Sequence, residues 1–245
     1  MLYKRWYFRY INLIFFIIIL IICAVYSSVS WKKREYPLAY WLWAGITAKE
    51  APTNSEFYVY QGVITRVKNN LAYQRIGLYP HPLKSQKLYL VYRLEGSLPD
   101  ATAVVAIFLG GATKWQRHHL KVDGLQLDFD SPTAKLVTYG DFLKKIRQQL
   151  PKQYALSITG LGDWVINGNK QLQQSIATVT DEIVFQLYQG RHPLPDMQNY
   201  IRALKNYPLP FRIGLLVGFP DKKHIAFLSK NANFFGPIYF IQRNL

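Results

Sequence analysis

The sequence predicts an α/β fold, eight parallel strands closed into a barrel with helices outside, and three observations carry that prediction. Eight short apolar runs read as strands, and several intervals between them show helical periodicity. The third is Asp123-Gly-Leu-Gln-Leu-Asp-Phe-Asp130, which alternates apolar with polar residues. Leu125, Leu127 and Phe129 share one face, and Gln126, Asp128 and Asp130 share the other. Strongly apolar strands lie on both sides of it, so it reads as a central strand of a closed sheet with its polar face inward. A carboxylate so placed needs a partner or a solvated cleft. An edge strand with a solvated face is the alternative.

In chain order, Lys4, Arg5 and Arg9 precede an apolar run from Tyr10 to Val29. The run is long enough to cross a bilayer as one helix, and Trp6, Tyr7, Tyr10, Tyr26 and Trp31 sit where interfacial aromatics belong. Residues 1–35 are therefore read as a membrane anchor or signal segment, and residues 36–245 as one barrel domain. An uncleaved anchor is favoured over a cleaved signal peptide, for which Ser28-Val29-Ser30 offers small residues. Ile22 before Cys23 argues against lipidation, and a single cysteine excludes an intrachain disulfide. Lys32, Lys33 and Arg34 leave the orientation without a clear charge signal. By default the short basic N-terminus stays in the cytoplasm and the remainder is exported.

The expected strands are 38–44, 57–61, 88–94, 124–130, 155–159, 183–188, 212–217 and 237–241. Helices are expected over 101–116, over 135–150 with Pro151 as its stop, and over 171–179, 195–206 and 222–229. The segment 46–56 is short for a full helix, and 62–87 is read as a hairpin or an irregular loop. The chain stops four residues after the last strand. A partly degenerate, TIM-like (β/α)8 barrel is the resulting expectation.

Half of the residues are apolar, enough for a substantial core. The net charge is +16; residues 1–35 carry six Lys/Arg and one Glu, which leaves +11 for the remainder. That balance favours polyanions, acidic glycans or an anionic membrane surface as neighbours. Nucleic-acid binding is disfavoured, because no zinc-finger spacing or RNP-like run accompanies the charge.

Parallel barrels place function at the C-terminal ends of their strands. That rule collects Trp43, Tyr60, Arg93, Asp128, Asp130, Asp163, Trp164, Gln186 and Tyr188, with Gln126 one step below the acids. Carboxylates for proton transfer, a phenol and flat rings for stacking on pyranose faces are the parts of a sugar site. Two poorly solvated acids two positions apart push one pKa up, which leaves a neutral acid beside a charged partner. Asp130, nearer the strand end, is the expected general acid; Asp128 is the stabilising carboxylate and Arg93 its possible counter-ion. A direct Arg93–Asp128 pair would give the charges a purely structural explanation. Trp164, between Asp163 and the next helix, is the expected stacking platform.

Three stretches, residues 124–133, 156–164 and 181–188, resemble an uncharacterised bacterial envelope family catalogued only as a domain of unknown function. More distantly, the same strands look like the chitinase-type glycosidase barrel, whose fourth strand reads Asp-Gly-x-Asp-x-Asp-x-Glu and whose sixth ends in Tyr-Asp. Asp123 and Gly124 match, Asp128 falls on the last Asp, and Tyr188 falls on the site tyrosine. Gln126 replaces an Asp, Asp130 replaces the general-acid Glu, and Gln189 replaces the Asp after the tyrosine. Asp is one methylene shorter than Glu, which sets its proton back by roughly 1–1.5 Å. The resemblance implies an N-acetylated or related envelope polysaccharide as partner. With the apolar run over 10–29, a single-pass protein of a bacterial inner membrane is expected, with the barrel facing the periplasm or the outside.

Other signals point nowhere specific. His118-His119 have no third ligand nearby, so no metal is expected, and no cofactor motif is present. Asp128-x-Asp130 also spells a glycosyltransferase motif, but no glycine-rich phosphate loop accompanies it. Ser157 and Thr159 lack a nucleophile elbow. Three readings follow: a glycoside-hydrolase-like protein, a non-catalytic glycan-binding or assembly protein, and a basic tethered scaffold. The oligomeric state is left open.

Overall fold

The computed structural model describes residues 35–43, 45–46, 52–67, 70–219 and 221–241, with residue 18. The chain divides into two units, Met1–Glu35 and Tyr36–Leu245. The expected membrane span lies, residue 18 apart, outside the described residues. Among the described residues no helix is long and apolar enough to cross a membrane.

The second unit contains β1 (Ala39–Leu42), β2 (Ser55–Val67), β3 (Asn70–Arg75), β4 (Ser85–Gly96), α1 (Ala101–Gln116) and β5 (Gly124–Asp128). There follow α2 (Leu136–Gln149), β6 (Ala155–Leu161), α3 (Gly162–Asn167), α4 (Lys170–Ala177), β7 (Glu182–Gln186), β8 (Tyr188–Gln189) and β9 (His192–Pro193). The last elements are α5 (Met197–Leu204), β10 (Phe211–Leu216), α6 (Lys222–Leu228) and β11 (Phe234–Phe240). Eight strands close a parallel ring in the order β1, β2, β4, β5, β6, β7, β10, β11, because β1 pairs with both β2 and β11. All eight expected strands are present, and the ring is complete. Its irregularities lie in the connections, the antiparallel β3 and the short β8–β9 hairpin among them.

Period-two alternation on every strand separates two cores. Outward residues such as Leu88, Leu90, Leu125, Leu127, Leu156, Ile158, Phe185 and Ile213 pack beneath the helices. Each fully buried Leu, Ile or Phe contributes about 1.5–3 kcal/mol there. Inside the ring Trp41, Tyr58, Tyr89, Val91, Val184 and Ile238 form a second, smaller cluster. Trp41 occupies its centre because Gly214 leaves room: a Cβ at that position would lie 2.6 Å from the indole ring.

The helices follow the sequence cues closely. Asp100 caps α1 by accepting the Ala103 N–H at 3.0 Å, and Val104, Val105, Phe108, Ala112 and Trp115 form its buried stripe. Leu150, ahead of Pro151, is extended (φ −72°, ψ 122°) and ends α2, as the residue before a proline does.

Strand β2 runs six residues past its expected end. A register shift between Tyr60 and Gly62 marks a bulge at Gln61. Gly62 takes φ 153°, and a Cβ there would meet the Gln74 carbonyl at 2.1 Å. Beyond the bulge β2 exchanges β1 for β3, so β3, β2 and β4 rise past the barrel mouth as a wall. The buried Gln61 side chain accepts the Trp115 indole N–H at 3.1 Å, which ties this bend to the end of α1.

At the opposite, N-terminal end the barrel floor is charged. Arg212 on β10 donates to Glu182 on β7 at 3.0 Å and to Glu56 on β2 at 2.5 Å. Tyr58 donates to the second Glu182 oxygen at 2.6 Å. Lys87 approaches Glu56 at 3.1 Å from the solvent side.

Candidate active site

Parallel register places Arg93 of β4 directly beside Asp128 of β5 at the barrel mouth. Arg93 Nη1 donates to Asp128 Oδ2 at 3.2 Å and Nη2 to Asp130 Oδ2 at 3.1 Å, while Nε reaches Glu95 at 3.2 Å. Asp128 is 2% exposed. Its other oxygen accepts from Thr159 Oγ1 at 2.9 Å and from Gln186 Nε2 at 3.4 Å. Asp130 lies two residues beyond the strand's end, and its side chain is half exposed, on the solvent side of the same guanidinium.

Burial raises the Asp128 carboxyl above its ordinary range; Arg93 opposes the shift and Asp130 adds to it. The fold therefore binds this proton more tightly than the unfolded chain does. Its contribution to stability is most favourable at low pH and weakens as pH rises from the ordinary carboxylate range through the raised folded value. Asp128→Asn removes that dependence. The melting temperature of the variant, relative to the native chain, rises between about pH 4 and about pH 7. A difference that is constant with pH contradicts this reading of the site.

Above the acids lies a cleft with a volume of about 780 Å³, lined by Trp43, Arg93, Asp128, Asp130, Asp163, Gln186, Tyr188, Arg191, Tyr200 and Phe240, among others. Trp43 stacks on Tyr60 at 4.0 Å, and Tyr188 stacks on Phe240 at 5.3 Å. The edge of Trp41 supports Tyr188 from beneath. Burial, with Asp128 and Asp130 adding to it, pushes the Tyr188 phenol well above its usual value, so it is an O–H donor across the physiological range. Hydrogen bonds from Thr133 and Asn167 hold the Asp163 carboxyl below its usual range.

Seven of the expected site residues thus share one cleft: Asp128, Asp130, Tyr188, Gln186, Arg93, Trp43 and Asp163. Three do not line it. Trp164 is 1% exposed and donates its indole N–H to the Ser131 carbonyl at 2.8 Å. Residues 162–167 form a helix rather than an open loop, and the helix turns Trp164 against Tyr139. It is a core residue, so the platform expected there is absent. Gln126 is fully buried one layer down, accepting from Trp41 Nε1 at 2.6 Å and donating to Ser157 Oγ at 2.9 Å. It supports the site without facing it. Tyr60 is also buried, and acts as the ring behind Trp43. Burial pushes its phenol up to about 12.

Sequence reasoning missed Arg191, Tyr200, Phe240 and Thr159. Arg191 and Phe240 lie at or just beyond strand ends, and the rule that collected the other residues reaches them too. Thr159 required the β5–β6 register. Tyr200 sits on α5 and carries no local signal. Among the described residues no group of three or more His, Cys, Asp or Glu is placed to hold a metal ion.

A solved structure, the chitinase domain of the spore coat protein CotE from Clostridium difficile, aligns at 14% identity and a TM-score of 0.43. The alignment covers 77% of this chain and 66% of that one, so the chain spans just under two thirds of its length. No curated protein matches the sequence. The family model described as domain of unknown function DUF3142 matches residues 84–208, which run from the start of β4 past α5 and include both acids, Arg93, Tyr188 and Arg191. That is half of the sequence, and the chain belongs to the DUF3142 family.

Proposed function

We propose that this is a membrane-anchored, extracytoplasmic glycoside-hydrolase-like protein that acts on or binds an envelope polysaccharide at the barrel mouth. The observation carrying the reading is the cleft, which gathers a carboxylate pair, a phenol and aromatic rings around a space of about 780 Å³. In the hydrolytic form of the proposal, Asp130 gives its proton to the glycosidic oxygen as the C–O bond breaks; water then adds to the anomeric carbon and its released proton returns to the Asp130 carboxylate. Asp128, fixed by Thr159, Gln186 and Arg93, stabilises the developing positive charge on the sugar. Tyr188 donates a hydrogen bond to the substrate, and Trp43 supports a pyranose ring. The apolar run 10–29 supports the anchor, and the basic balance of residues 36–245 suits an envelope rich in anionic polymer.

One observation favours a second reading. A single guanidinium pairs with both carboxylates, so an ion-pair network within the chain accounts for their charges. A non-catalytic glycan-binding or envelope-assembly protein needs no proton there. Both readings are tested by presenting the full chain and Trp43→Ala with a panel of acetamido-bearing and related polysaccharides, reading binding and released reducing ends. The native chain binds at least one member, and Trp43→Ala weakens that binding about tenfold, by loss of a stacking contact. Reducing ends released by the native chain select the hydrolytic reading, and binding without release selects the other. Absence of both would falsify the glycan proposal.

A further inference from the structure

The cleft holds two arginines in different circumstances. Arg93 is committed to Asp128, Asp130 and Glu95. Arg191 follows Gly190, which takes φ 57° in the turn between β8 and β9. It is exposed and lines the cleft beside Tyr188 and Tyr200, and it forms no ion pair among the described residues. The acids that share the cavity already have partners: Asp128 and Asp130 are held by Arg93, and Asp163 by Thr133 and Asn167. Arg191 is thus a guanidinium left without an internal counter-ion on the wall of a concave site. Its planar fork matches a carboxylate or phosphate oxygen pair.

We infer that Arg191 makes the cleft selective for an anionic glycan, pairing with a carboxylate or phosphate on the sugar or its neighbour while the sugar's ring lies against Trp43. This rests on the reading of the cleft as a glycan site. It names a substrate class that the acids alone would not suggest, since a cleft carrying three carboxylates would otherwise repel such a ligand. The shared chemistry is an oxyanion borne on a sugar, and the source is resolved by the ligands used in the test.

The experiment measures dissociation constants of the full chain for one oligosaccharide backbone in three forms: neutral, carboxylated and phosphorylated. The native chain binds one anionic form about tenfold tighter than the neutral form, as one charge-assisted bidentate contact provides. That preference shrinks as salt is raised. Arg191→Ala closes the gap by weakening the anionic ligand, and Arg191→Lys keeps part of it. The form with the larger gap identifies the anion. Equal binding of all three forms by the native chain, or a gap that survives Arg191→Ala, overturns the assignment to Arg191 and leaves the glycan site standing. Failure of every form to bind the native chain overturns the glycan reading and this inference with it.

Discussion

Replacing Arg212 with alanine lowers the stability of the barrel by about 3–5 kcal/mol, the range found when one partner of a buried ion pair is removed. Arg212 is 4% exposed, and Glu56 and Glu182, which it joins, are 2% and 8% exposed. Without the guanidinium, two carboxylates remain in the barrel floor. Tyr58 still donates to one of them, and Lys87 reaches the other only from a half-exposed position. Lys87 therefore cannot replace a cation that touches both. Denaturant unfolding of the native and variant chains measures the loss. Replacing Arg212, Glu56 and Glu182 together with apolar residues of similar volume recovers most of it, because the cost lies in the unpaired charge and not in the missing contact. A loss under about 1 kcal/mol for Arg212→Ala contradicts the description of a dry, charged floor.

Asp130→Asn reduces any hydrolysis by the native chain by about 10²–10⁴-fold, the usual contribution of a positioned general acid. The same change moves stability by less than about 1 kcal/mol, since Asp130 is half exposed and its pair with Arg93 faces solvent. The two readouts separate a chemical role from a structural one. Retention of near-native turnover by Asp130→Asn moves proton donation to another group. Asp128, whose carboxyl burial raises, is then the first candidate.

The strands were legible because each carries its own period-two pattern. Leu125 and Leu127 pack outward and Gln126 and Asp128 inward, as the alternation in 123–130 requires. The continuation of β2 past Gln61 was not legible, because a bulge breaks the period just where the strand leaves the ring. Trp164 was misplaced for a related reason. A Gly-Asp-Trp sequence after a strand reads equally as a loop or as a first helical turn, and the helix carries the indole into the core. The carboxylate cluster could be found because charge inside an apolar strand is conspicuous. The floor triad was overlooked although Glu56, Glu182 and Arg212 also lie within strands, because their partners lie 30 to 156 positions away in sequence. Only the strand register brings them together.

The most direct test of the central claim is a crystal structure of the full chain with an oligosaccharide from the panel that it binds. A sugar ring is expected against Trp43, with its glycosidic oxygen facing Asp130 and a hydroxyl or acetamido group on Tyr188. A ligand seated outside the barrel mouth, or a mouth in which Arg93 and the two acids stay closed over an empty cleft, contradicts it.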